Sequence, residues 1–189
     1  MASFAESTYL RGSDGGVAAV EHNRLVVNPK TEFDQALADG LAFSWSTLTA
    51  NLAAGNTLLG VENNSTDYLL CIEKIIISIT VAGGSVCPVF TASGVTMAGT
   101  ACNGVSLNRG MTGRNAAPLA TAKSHETGQD EAAGSWTKKV YMPQCLTSVP
   151  YIINVRGGIR LPYDHGVFVD AIEEITAETV TIIGYFVPI

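Results

Sequence analysis

Short apolar and polar runs alternate along most of the chain and are separated by Gly, Asn, Pro and Ser. From Leu41 onward the runs are rich in Val, Ile, Thr, Phe and Tyr, and they recur at roughly the 8 to 12 residue spacing typical of all-β sandwiches and barrels. Between Leu41 and Ala132 no long stretch keeps the period of a helix, which argues against a parallel sheet with alternating helices. We therefore expect an all-β, antiparallel fold. The predicted strands are Ala42 to Leu48, Thr57 to Asn63, Tyr68 to Val81, Val86 to Ala92, Ser135 to Met142, Tyr151 to Val155, Gly166 to Glu173 and Thr179 to Phe186.

The last predicted strand differs from the others in its pattern of apolar positions. From Thr179 it first alternates between polar and apolar residues, and towards Val187 it becomes apolar on both faces. A strand that is apolar on both faces must be covered on both sides. In a two-layer domain the opposite sheet covers one face, so we expect the second cover to come from the N-terminal arm or from another subunit.

Residues 1–39 are predicted to form an extended N-terminal arm. They are rich in charged residues and glycine, and their only compact apolar run is Leu25-Val26-Val27, which is followed by the extended or turn dipeptide Asn28-Pro29. A short helix is predicted from Thr31 to Ala38, with Thr31 as its N-cap and Gly40 as its stop. The predicted organisation is therefore an arm over residues 1–39 and a β domain over residues 40–189.

The distribution of charge narrows the classes of partner. Eleven Lys and Arg against 17 Asp and Glu give a formal net charge of −6, the wrong sign for binding nucleic acid. No apolar run is long enough to predict a membrane-spanning helix. The 34 residues from Ile75 to Asn108 contain no charged residue, which predicts a partner surface and hence an oligomer. The alternative is that Ala, Ser, Thr and Gly make this stretch uncharged but still wettable.

Catalytic and metal-binding motifs are not found in the sequence. The four cysteines are widely spaced and are expected to be reduced, with Cys102 as the candidate exception. The three histidines are scattered, and no phosphate-binding glycine motif occurs. The reactive-looking run Lys123-Ser124-His125-Glu126 is predicted to be a solvated loop. We expect no enzymatic activity, no metal and no cofactor.

Three segments carry a resemblance to a known family: Asn56 to Asn63, Gly104 to Gly110, and the closing Leu161 to Ile189. Over residues 41–189 the chain resembles the small jelly-roll head decoration, or cement, proteins of tailed bacteriophages. The resemblance implies a jelly-roll-like sandwich of about eight strands and a homotrimer on the exterior of the capsid. Its partner would be the major capsid protein, its location the virion, and the family supplies no catalytic residues.

Two sets of candidate contact residues follow from this interpretation. The arm residues expected to bind the capsid are Tyr9, Leu10, Leu25, Val26, Val27 and Phe33. The residues expected at the trimer interface are Phe168, Ile182, Tyr185 and Phe186. For both sets the alternative is ordinary packing within one subunit.

Three other functions remain open at this stage. A receptor- or sugar-binding head of a phage tail fibre would need exposed aromatic clusters, whereas Trp45 and Trp136 lie in strand patterns. A cupin-like jelly-roll enzyme would need a histidine-rich metal set. A major shell protein is a further alternative, although the chain is short for one and shows no long helix.

Overall fold

A computed structural model describes residues 10–11, 17–21, 24–26, 30–47, 53–80, 84–97, 99–108, 110, 115–126 and 136–189. The chain divides into two compact units, Met1–Thr31 and Glu32–Ile189. The second unit begins eight residues before the β domain expected from the sequence, because the helix predicted at the end of the arm packs on the β domain.

The first unit contains three short strands in the region predicted to be an extended arm. These are β1 (Leu10–Arg11), β2 (Val17–Glu21) and β3 (Arg24–Val26). They form an antiparallel sheet in the order β1-β2-β3. Within the described residues, β1 and β3 are therefore the edges of this small sheet.

The second unit is almost entirely β-structure with one short helix, α1 (Glu32–Ala38). Its strands are β4 (Ala42–Ser46), β5 (Thr57–Asn63), β6 (Tyr68–Thr80), β7 (Ser85–Val86), β8 (Val89–Ser93), β9 (Thr100–Ala101), β10 (Val105–Ser106), β11 (Ala120–Glu126), β12 (Trp136–Tyr141), β13 (Gln144–Cys145), β14 (Tyr151–Leu161), β15 (His165–Asp170) and β16 (Ala177–Pro188). Each of the eight strands predicted from the sequence overlaps at least one of these, and the predicted strand Val86 to Ala92 is divided between β7 and β8.

Two antiparallel sheets form the sandwich. Sheet I has the order β10-β4-β16-β6-β14, and sheet II has the order β12-β8-β15-β5-β11-β9. Without the added strands β9, β10 and β11, four strands remain in each sheet, and the chain moves between the sheets in the order of two Greek keys. The predicted all-β, jelly-roll-like sandwich is confirmed. The three added strands all lie between β8 and β12 in the sequence.

A β-bulge in β6 explains the charged pair Glu73-Lys74 inside an otherwise apolar run. Ile183 of β16 pairs with Lys74, whereas the next residue, Gly184, pairs with Ile72, so Glu73 is the extra residue. Along the chain, the inward-facing positions fall on even numbers before the bulge, at Leu70 and Ile72, and on odd numbers after it, at Ile75, Ile77 and Ile79. The bulge therefore keeps both ends of a 13-residue strand in the core while both charged side chains stay half-buried.

The outer face of sheet I is covered in part by α1. Phe33, Ala36 and Leu37 of the helix pack against a set that we call the covered patch, namely Ala42, Cys71 and Tyr185. The rings of Phe33 and Tyr185 meet edge to face at 5.6 Å. The second cover expected for the last strand thus comes from the segment predicted as the arm.

Side-chain hydrogen bonds fix both ends of α1. The Nδ2 group of Asn108 donates to the carbonyl oxygens of Leu37 at 2.9 Å and Ala38 at 3.2 Å, at the helix C-terminus where carbonyl oxygens lack the N–H donors of a following turn. The backbone N–H of Gly40 also donates to the Leu37 oxygen. At the other end, Arg160 of β14 forms a salt bridge of 2.6 Å with Glu32. The helix is thereby attached to two different parts of the sandwich.

One predicted loop is a strand. Residues 123–126, predicted to be a solvated loop, belong to β11, which pairs with β5 from Ala120↔Asn63 to Glu126↔Thr57. The prediction was wrong because the buried positions carry the small residues Ala120, Ala122 and Ser124, which give no apolar signal. Small side chains on the inner positions still permit close packing between the two sheets.

Candidate interaction surface

The four residues predicted at the trimer interface lie inside the subunit. Ile182 and Phe186 point into the sandwich, with exposed fractions of 0% and 1%. Tyr185, at 3%, lies under α1. Phe168, at 0%, packs with Val95 and Met97 in a separate cluster. The structure therefore places this set in two clusters besides the main core, and their packing within one subunit matches the alternative stated above.

Phe168 fits its position because two neighbouring residues lack side chains. A Cβ atom on Gly60 would lie 2.7 Å from Phe168 Cδ1, and one on Gly166 would lie 2.7 Å from its Cζ. Both distances are too short for real carbon atoms, so the phenyl ring occupies the space that these glycines leave. Any larger residue at either position would displace the ring from sheet II.

The residues predicted to bind the capsid are only partly described. Tyr9 and Val27 lie outside the described residues. Leu10 is in β1, and Leu25 and Val26 are in β3, where the backbone alone is described. Phe33 is half-buried in α1 and contacts Tyr185 of the same chain. The structure thus joins one residue of this set to one residue of the predicted trimer set.

The long uncharged stretch that predicted a partner surface contributes many residues to the interior. Its described large apolar side chains include Ile75, Ile77 and Phe90, which are fully buried. Val105 on β10 is the exception at 65% exposure. The lack of charge from residue 75 to 108 therefore reflects core positions more than a surface.

A different uncharged segment carries the exposed apolar surface. Residues 141–155 contain no Asp, Glu, Lys or Arg. Six of the ten exposed large apolar side chains among the described residues fall in this segment, and we call them the apolar strip. They are Tyr141 (37%), Met142 (51%), Leu146 (56%), Val149 (53%), Tyr151 (42%) and Ile152 (53%). Such a concentration of exposed apolar side chains is typical of an interaction surface.

The topology of the sandwich explains the position of the apolar strip. β12 is the edge strand of sheet II, and β14 is the edge strand of sheet I. Residues 142–150 join these two edges and so cross one side of the sandwich. On the way, β13 pairs with β7, and Thr147 forms a bridge with Ile79 at the end of β6. These backbone bonds hold the crossing segment in place while its apolar side chains face outward.

The open edge of β14 continues the apolar strip. Within the described residues, β14 pairs with β6 on one side only. Its first part, from Tyr151 to Asn154, pairs regularly, whereas a bulge between Asn154 and Ile159 interrupts the rest. Arg156 and Gly157 in the bulge have positive φ angles of 53° and 70°. Bulges and charges protect an edge strand from pairing, and here they protect only its second half.

Among the residues that the structure describes, two carboxyl groups are buried in the sandwich. Asp170 accepts a 2.8 Å hydrogen bond from Thr57 Oγ1. Burial raises the pKa of Glu178 to about 8, and a hydrogen bond with Thr47 opposes the rise. Thr47 Oγ1 also accepts a 2.9 Å hydrogen bond from the backbone N–H of Val180, so it links the end of β4 to β16.

The chemistry available to the described residues does not include a metal cluster. No group of three or more His, Cys, Asp or Glu side chains converges in the part of the chain that the structure describes. In that same part, no helix has the length and apolar character needed to cross a membrane.

Beneath α1, burial and the nearby thiol of Cys71 raise the pKa of Tyr185 to about 12, so its hydroxyl keeps its proton.

Sequence reasoning missed the apolar strip, although a signal for it existed. Residues 141–155 combine a lack of charge with Pro143 and Pro150, and proline disfavours a central strand. Apolar residues in a segment that cannot be a central strand are candidates for surface exposure. The partner surface was instead predicted in the longer uncharged stretch, from residue 75 to 108.

Comparisons with protein families, with curated proteins and with solved structures found no match to this chain.

Proposed function

We propose that this protein is a non-enzymatic structural component of a virus particle, a capsid decoration protein that binds the outer capsid surface as a homotrimer and stabilises the shell. The observation that carries the proposal is the apolar strip, an uncharged surface at the open edge of a jelly-roll-like sandwich. A surface of this kind supports assembly, and jelly rolls are a common fold of viral capsid proteins. The proposed partners are two further copies of the chain and the major capsid protein.

Self-association through the apolar strip accounts for its lack of charge. The chain carries a formal net charge of −6, so two copies repel each other overall. Residues 141–155 carry no charged side chain, so they add nothing to this repulsion when two copies meet. Burial of six exposed apolar side chains per subunit would supply the favourable free energy of association.

The first unit is proposed to bind the capsid. Its three-stranded sheet ends in two short edge strands, β1 and β3, which contain Leu10, Leu25 and Val26. An edge strand recognises a partner by main-chain hydrogen bonds to an exposed sheet edge. Three such units on one trimer would bind with a high effective concentration, so each contact can be weak while the whole trimer holds firmly. Decoration of this kind adds contacts that a shell must break before it opens.

Two measurements on the full chain test the proposal. Light scattering of the purified protein is expected to give about three times the monomer mass, and a monomer at micromolar concentration would contradict the trimer. Electron micrographs of particles with and without the protein are expected to show added density on the capsid exterior. Density on a tail fibre instead would support the receptor-binding alternative and contradict decoration.

A further inference from the structure

We propose that Cys87 and Cys145 form an intramolecular disulfide when the protein meets an oxidising environment, and that this bond fastens the β7–β13 pair at the side of the sandwich. The structure holds both residues as free, buried thiols. The inference goes beyond the proposed function, because it concerns a covalent modification of the isolated subunit.

The register of β7 and β13 places the two thiols on one face. Cys145 pairs with Ser85, and the backbone N–H of Cys87 donates to the carbonyl oxygen of Pro143 at 3.0 Å. Cys87 and Cys145 are therefore diagonal neighbours on adjacent antiparallel strands, with side chains on the same side. Both sulfur-bearing side chains are fully buried in the main core, at 0% exposure.

The pKa values of the two thiols depend on each other, which agrees with this placement. The interaction with Cys145, together with burial, raises the pKa of Cys87, and the interaction with Cys87 lowers the pKa of Cys145. Because the thiolate is the nucleophile in disulfide exchange, Cys145 is the residue that reacts first. The other two cysteines lie elsewhere: Cys71 under α1, and Cys102 in a half-exposed position after β9.

The chemistry balances with a small disulfide such as oxidised glutathione as the oxidant. The Cys145 thiolate attacks one sulfur of glutathione disulfide, forms a mixed disulfide and releases one glutathione thiolate. After Cys87 loses its proton, its sulfur attacks the Cys145 sulfur, the protein disulfide forms, and the second glutathione leaves as a thiolate. Two protein thiols are oxidised by two electrons, and one glutathione disulfide is reduced to two glutathione molecules.

Access to the buried thiols comes from local opening of two short strands. β7 and β13 have two residues each, and Gln144 and Leu146 beside Cys145 are exposed. Short pairs at a surface open more readily than the long central strands. Secreted and virion-surface proteins meet oxidising conditions, whereas the cytosol keeps thiols reduced, so the bond would form after release from a cell.

The bond would constrain the region between β8 and β12. It closes a loop of roughly 60 residues, which includes β9, β10 and β11. Closing a loop of this size restricts the unfolded chain, so the oxidised protein is expected to melt on the order of 5–10 °C above the reduced protein.

The experiment treats the purified full chain with oxidised glutathione and then counts free thiols after denaturation. We expect a fall from four thiols to two, a peptide map that links Cys87 to Cys145, and a higher melting temperature that a reductant reverses. Four remaining thiols, a link between any other pair, or glutathione adducts alone would overturn the inference. An unchanged or lower melting temperature after the bond forms would overturn the stabilising role.

Single variants sharpen the test, because each is compared with itself before and after oxidation. The melting temperatures of Cys87→Ser and Cys145→Ser are expected to stay the same on oxidation. Cys102→Ser is the matched control and is expected to gain as much as the unaltered protein, since its side chain lies outside the pair. A gain in Cys145→Ser, or no gain in Cys102→Ser, would contradict the assignment.

Discussion

Two apolar surfaces of the same sandwich differ in their exposure to solvent. The covered patch of Ala42, Cys71 and Tyr185 lies on the outer face of sheet I, and α1 shields it from solvent. The apolar strip crosses from the edge of sheet II to the edge of sheet I, and its six side chains remain 37–56% exposed. Both surfaces are uncharged and aromatic or aliphatic, so their difference lies in what covers them.

The difference bears on the proposal that the apolar strip is an interaction surface. This chain covers one apolar surface with its own helix, which packs on the patch through Phe33, Ala36 and Leu37 and accepts hydrogen bonds from Asn108 at its C-terminus. The chain can therefore cover an apolar surface with one of its own segments. Monomeric proteins seldom leave a concentrated apolar surface bare. We therefore interpret the apolar strip as a surface whose cover is supplied by another molecule.

The largest expected effect comes from removing the cover of the covered patch. Deletion of residues 1–39 removes Phe33, Ala36 and Leu37 and should lower the free energy of unfolding by about 5 kcal/mol, through lost apolar burial. Deletion of residues 1–31 keeps α1 and should leave the urea midpoint close to that of the full chain, because the compact unit begins at Glu32. Equal stability of the two deletions would contradict the role assigned to α1.

The second prediction alters the apolar strip. The double variant Leu146→Glu/Ile152→Glu places two negative charges within the apolar strip and should weaken formation of the proposed trimer at least 100-fold, or about 3 kcal/mol, as measured by light scattering. Val105→Glu is the matched control, because Val105 is also an exposed apolar residue but lies on β10. Dissociation of the control as well, or a trimer in the double variant, would refute the assignment.

The third prediction concerns the stability of the interior, because Glu178 is buried and belongs to neither apolar surface. Its pKa of about 8 in the folded protein exceeds the ordinary value of 4.5, so the folded state binds the extra proton between these pH values. Stability therefore falls as pH rises through this window, by about 2 kcal/mol between roughly pH 5.5 and 7.5. Glu178→Gln should remove that part of the pH dependence of urea unfolding. A slope that persists unchanged would show that another group carries it.

The elements with a strong repeating pattern could be predicted from the sequence. All eight predicted strands are present because β-branched and aromatic residues alternate there, and the all-β class follows from them. The bulge at Glu73 could not be predicted, since its inward positions shift only through pairing with β16. β11 was missed because alanine and serine fill its inner positions.

The candidate surface was harder to predict than the fold. The predicted trimer interface consists of large apolar residues in strands, namely Phe168, Ile182, Tyr185 and Phe186. The sequence does not state whether the same chain or a second copy covers such residues. The structure shows Tyr185 under a helix that begins about 150 residues earlier, a contact without any local signal. Asn108 likewise gives no sequence signal for its role, since it lies about 70 residues after the helix whose C-terminal carbonyl groups its side chain binds.

The smallest expected effect concerns the salt bridge between Glu32 and Arg160. Both side chains are 48% exposed, so solvent screens their 2.6 Å interaction. Arg160→Met should therefore leave the urea midpoint almost unchanged, and added salt should have little effect on the unaltered protein. Phe33→Ala should lower stability by about 2 kcal/mol, because it removes a half-buried ring that contacts Tyr185. The reverse order of these two effects would show that charge, and not apolar packing, holds the helix on the covered patch.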